Sequence, residues 1–116
     1  MRTTLLSLVI DAADIDAESA FWQRVLGASV TKTASHHFLQ ADGFPALVVQ
    51  AVPGHVPPTW PDGNDQQLHF DLRTDDPAET HRLVLEAGGR CLEPGQRSGV
   101  RVYASPAGHP FCVRST

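Results

Sequence analysis

The stretch HFDLRTDDPAETHRLVLEAGGR, residues 69–90, decides the fold, because SLVIDAADIDAESAFWQRVLGA, residues 7–28, repeats its pattern in other letters. A constant spacing of 62 sets Ser7 against His69, Asp14 against Asp76, Phe21 against Leu83, Trp22 against Val84 and Gly27 against Gly89, with no gap. In the later copy Leu68, Phe70 and Leu72 alternate with His69 and Asp71, the period of a half-buried strand. Asp76, Pro77 and Glu79 then stand at N-cap, N1 and N3, a capping-box arrangement that predicts a helix start. Leu83, Val84 and Ala87 make its apolar stripe, and Gly88-Gly89 ends it. The earlier copy follows the same grammar. Leu6, Leu8 and Ile10 share one strand face, with Ser7 and Val9 on the other. Asp14 or Asp16 caps a helix whose i, i+4 pairs are Phe21, Val25 and Trp22, Leu26, and Gly27 stops it.

Working outward, short β-rich runs follow each helix. These are SVTKTA, HHFLQA and ALVVQAV in the first half, and RCLEP, VRVYAS and PFCVRS in the second. Turn signals separate them: DGFP, GQRSG and PAGHP. Each half is therefore β-α-β-β-β. Residues 53–65, PGHVPPTWPDGND, hold four prolines and form a linker, because proline lacks the ladder donor. The expected organisation is a single domain, 1–116, with modules at 1–52 and 66–116. The class is α+β: two tandem βαβββ modules whose curved mixed sheets enclose a cleft, each burying a face the other would leave bare.

The 116 residues suffice for a core without staples. A composition 41% hydrophobic and 19% charged is that of a globular chain. The net charge of −4, with one lysine, Lys32, among nine basic residues, argues against nucleic-acid or anionic-membrane partners. LLSLVI is too short for a signal or span, since Asp11 and Asp14 follow at once. Two cysteines make no disulfide framework, and a cytoplasmic protein with free thiols is expected.

DIDAESAFWQRVLG, LHFDLRTDDP and SPAGHPFCV resemble the helix signature, second-half strand and closing strand-turn-strand of the vicinal oxygen chelate superfamily. This is the glyoxalase/bleomycin resistance protein/dioxygenase fold, and within it the chain looks most like the glyoxalase-like domain subgroup. Metal-dependent members draw ligands from the first and last strands of each half. The resemblance places those positions at Ser7, Gln50, His69 and Cys112. The two last-strand positions also differ by 62. The set offers an alcohol, an amide, an imidazole and a thiol, with no carboxylate, whereas a lyase or dioxygenase centre needs three or more good donors.

Other candidates have plainer readings. His36 and His37 are adjacent in a strand, so one is buried and one solvated. His69 is either a core histidine or a pocket liner. His81 belongs on the helix surface, His109 in a turn, and Cys112 among inert buried thiols. Trp22 packs in the core, while Trp60, in the linker, caps a pocket or an interface. Arg97 and Arg101 sit in or beside a solvated loop. The resemblance implies a protein that binds a small neutral aromatic or apolar molecule through Ser7, Gln50, His69, Cys112 and Trp60. No cofactor and no family-type metal centre are expected, and the partners are the ligand and a second copy in a homodimer. The alternative is a glyoxalase-type lyase or isomerase, or a dioxygenase, with an atypical metal or acid/base site.

Overall fold

The computed structural model describes residues 2–3, 5–95 and 99–115, so Arg97 lies outside the described residues. The chain divides into two compact units, Met1–His55 and Val56–Thr116. Most of the proline-rich linker thus belongs to the second unit.

In the first unit β1 (Ser7–Ala12) leads into α1 (Ile15–Leu26), then β2 (Ser29–Lys32), β3 (His36–Gln40) and β4 (Ala46–Ala51). The sheet order is β1-β4-β3-β2. The helix carries the chain to the far edge, antiparallel hairpins bring it back, and β4 closes parallel to β1. Capping is local. Asp14 accepts from the Ala17 N–H at 3.1 Å, and Gly27 takes φ 64, a left-handed conformation cheap only for glycine. α1 packs on β3 and β4. Phe21 and Trp22, both fully buried, meet edge to face at 5.0 Å over the face carrying His37, Leu39, Leu47 and Val49. The Trp22 indole N–H donates to Glu18 at 2.9 Å. As alternation requires, His37 is buried and His36 half-exposed. The ring Nδ1 of His37 has no hydrogen-bond partner, while Nε2 lies 3.9 Å from Asp16.

The second unit repeats the topology with β5 (Phe70–Thr74), α2 (Pro77–Glu86), β6 (Arg90–Glu93), β7 (Val100–Ala104) and β8 (Pro110–Ser115), ordered β5-β8-β7-β6. The capping box is only half realised. Asp76 accepts from the Glu79 N–H, but the Glu79 carboxylate turns to Arg82, and Thr74 Oγ1 accepts from the Asp76 N–H instead. α2 packs on β6 and β8. Its fully buried side chain is Val84, with Tyr103 and Phe111 stacked at 5.6 Å on the sheet face turned toward it. His81 corrects the surface expectation. It is half-buried, and its Nδ1 lies 2.9 Å from the Tyr103 hydroxyl, because it precedes Val84 by three residues and shares its face. Leu68 also departs from the alternation. β5 begins at Phe70, so Leu68 precedes the sheet and is 83% exposed.

The linker is ordered by its own bonds, Thr59 N–H to Asn64 O and Asn64 N–H to Thr59 Oγ1. Pro57 rests where a Cβ on Gly108 would stand, so this turn admits only glycine there. His109 takes its expected turn place, exchanging bonds with Ser105. Among the described residues no helix is long and apolar enough to cross a membrane.

Candidate functional site

Each sheet has one face under its helix and one face away from it, and the singled-out polar side chains lie on the faces away from the helices. In the first unit Ser7 stands opposite Ala46, and Gln50 stands opposite Asp11 and His36. Ser7 and Gln50 therefore share a face but lie four rows apart, about 13 Å along the ladder. Serine and glutamine side chains on such a spacing cannot reach one ion. Between them lies an apolar row of Val9, Val48 and Phe38. Phe38 is stacked against His36 at 6.1 Å.

In the second unit the two singled-out residues do converge. Cys112 stands opposite Asp71, and His69 lies two residues before Asp71, just ahead of β5 rather than in mid-strand. One imidazole nitrogen, one carboxylate oxygen and Sγ all lie within 4.8 Å of one another. His69 Nε2 is 3.3 Å from Asp71 Oδ1. Among the described residues this is the one group of three such side chains with donors so close. Burial pushes the Cys112 thiol up, and the Asp71 carboxylate, which takes the thiol's hydrogen bond, adds to the rise, while Arg114 opposes it. Cys112 is half-buried, not sequestered, and the face carries a fixed charge that the four family positions alone do not supply. Asp71 is the member of this group that sequence reasoning did not single out; alternation puts it on one face with His69 but does not mark it off from other polar strand residues.

Trp60 also belongs to the second unit. It lines a cavity of about 260 Å³ with Thr59, Pro61, Asp65, Gln66 and Pro110. Gln66 Oε1 is buried without a partner. Pro110 is two residues before Cys112 on β8, so the cavity adjoins the same sheet face.

The four positions that the superfamily pattern uses for a metal do not fit one here. Ser7 and Gln50 are weak donors, and the first-unit register holds them too far apart to share an ion.

No curated protein matches the chain significantly in sequence. Among solved structures, a glyoxalase/bleomycin resistance protein/dioxygenase family enzyme from Burkholderia phytofirmans PsJN is similar with a TM-score of 0.75 at 15% identity, over 95% of this chain and 96% of that one. A genomically encoded fosfomycin resistance protein from Listeria monocytogenes is similar at 0.74 and 15% identity, over 100% and 95%. Lactoylglutathione lyase from Agrobacterium tumefaciens is similar at 0.64 and 18% identity, over 98% and 94%. At these identities the likeness speaks for the fold. The family model for the glyoxalase-like domain matches residues 7–114. With two βαβββ units in place and that match spanning nearly the whole chain, the protein belongs to the glyoxalase-like domain family.

Proposed function

We propose that this protein binds a small, neutral, partly aromatic molecule and does so without the four-position metal centre of its superfamily. The observation that carries this reading is the cavity beside Trp60. An indole and two prolines supply apolar surface, and Thr59, Asp65 and Gln66 supply polar groups, so a ligand with an aromatic body and a hydrogen-bonding edge fits it. Asp65 in the wall repels anions, which sets the ligand apart from glutathione adducts.

The test is a thermal-stability screen of neutral aromatic compounds, aromatic antibiotics included, beside glutathione hemithioacetal. A ligand at 100 times its Kd should add about 2.7 kcal/mol, and Trp60→Ala should remove the gain. Turnover of the hemithioacetal, with no aromatic compound stabilising the protein, would replace this reading with that of a lyase.

The same proposal includes a homodimer. Val9 and Phe38 are 53% and 40% exposed on the first-unit face, an apolar strip suited to burial by a second copy. Sedimentation at tens of micromolar, the order of ordinary interface affinities, tests it; a monomer there rejects it. A reducing, cytoplasmic compartment suits Cys91 and Cys112, both free thiols.

A further inference from the structure

We propose that the second unit carries a site for a small monocarboxylate on the helix side of its sheet, with Arg101 as the anchoring cation. The site lies across the sheet from Cys112 and does not depend on the ligand-binding reading. Alternation makes it. Arg101 and Tyr103 are two residues apart on β7 and share a face, and the Tyr103 hydroxyl, 2.9 Å from His81 Nδ1, marks that face as the one turned toward α2. Arg101 stands opposite Val113, whereas Cys112 stands opposite Val102 on the other side. The loop beside Arg101 ends before it. Gly99 N–H donates to Gly95 O at 2.9 Å, β7 starts at Val100, and Arg101 is half-buried in the strand.

A cavity of about 240 Å³ opens there, with Pro77, Pro94 and Val113 as apolar walls and hydroxyl groups from Tyr103 and Ser115. The cavity beside Trp60 has Asp65 in its wall, and the groove beside Phe44 has Asp42. This one has Arg101 and no carboxylate among its described lining residues. The nearby acids are turned to backbone: Asp76 accepts from the Glu79 N–H and Glu93 from the Gly95 N–H. Among the described residues no carboxylate forms an ion pair with Arg101. Its guanidinium gives one hydrogen bond to the Tyr103 oxygen, which leaves the rest of a planar, five-donor fork. The two oxygens of a carboxylate match such a fork edge to edge. One cation balances one negative charge, and the apolar walls accept a short chain or a single ring. A monocarboxylate therefore suits the cavity better than a phosphate, which carries more charge and no apolar body.

Calorimetric titration of the full chain with benzoate, butyrate, benzamide and inorganic phosphate tests this. Benzoate and butyrate should saturate one site with a Kd of about 1 mM or below. Benzamide, of the same shape without the charge, should not bind, and phosphate should bind more weakly than either acid. Arg101→Gln should weaken benzoate at least about tenfold, the loss of one hydrogen bond to a charged group. Arg101→Lys, which keeps the charge and loses the fork, should fall between. Arg114→Gln, on the other face, and Trp60→Ala should leave binding intact, and circular dichroism establishes that each variant is folded. Tyr103 gives a readout at the site itself. Burial pushes its phenol up, Arg101 opposes the rise, Cys91 adds to it, and His81 faces it from α2. A carboxylate that engages Arg101 weakens the opposing pull, so phenolate absorbance should appear at higher pH with butyrate than without, and butyrate should not move it in Arg101→Gln. No saturable carboxylate binding, benzamide or phosphate binding as tightly as benzoate, binding that survives Arg101→Gln unchanged or is lost in Trp60→Ala, or a Tyr103 titration indifferent to butyrate would overturn the proposal.

Discussion

The two halves share strand order and an aspartate N-cap on the helix, yet their closing ladders are slid by two residues relative to each other. Gln50 stands opposite Asp11, whereas Cys112, its counterpart 62 residues on, stands opposite Asp71 and not Arg73. The cause lies upstream. Residues 33–35 connect β2 to β3, but residues 94–99 connect β6 to β7, and the longer connection delays the following hairpin. A slip of one would turn every core side chain outward, while a slip of two keeps each on its proper face. What changes is the row, by about 6.6 Å. The helix-facing core tolerates that move; a cluster of three donors does not. The halves are therefore alike as architecture and unlike as chemistry.

The largest expected effect comes from core packing. Trp22→Ala should cost about 3–5 kcal/mol in chemical denaturation, the range for emptying a buried aromatic site. Val84→Ala, in the slimmer stripe of α2, should cost about 2 kcal/mol, from two lost methyl groups and a small cavity. Equal losses would mean that the two helices anchor their sheets equally.

The smallest effect concerns Tyr103, the single tyrosine of the chain. Burial pushes its phenol above the ordinary value of 10.0, against the opposing pull of Arg101. The folded state then holds the proton longer than the unfolded state. The stabilisation is present below about pH 10 and is lost as pH rises through the folded value. Phenolate absorbance should appear later in native than in denatured protein. Coincident titrations would place Tyr103 in water.

Much of the fold was legible because its signals are local. Asp14, Gly27 and Asp76 act within one turn of the residues they cap, and His36 and His37 needed only alternation. The site was less legible for a physical reason. Period-two patterning is blind to even slips, so nothing in the strand text tells Asp71 from the ordinary polar partner of Phe70 and Leu72. Its neighbour Cys112 is fixed through loop lengths, not through adjacent letters. Leu68 misled in a related way, since alternation continued past the point where the strand begins. His81 could have been found from its spacing to Val84, had the partner Tyr103 on another strand been foreseeable.

Pro57 seated on Gly108 has a consequence for how the molecule comes into being. Synthesis runs from the N-terminus, and units fold as they emerge. All of β1–β4 can pair, and the linker's own Thr59–Asn64 bonds can form, before residues 105–110 exist. Pro57 cannot seat on Gly108 until that turn has left the ribosome, and the cavity beside Trp60 waits on Pro110 as well. A nascent chain stalled just short of that turn would carry a finished first unit and no cavity beside Trp60, with the indole exposed to whatever chaperone or protease meets it first.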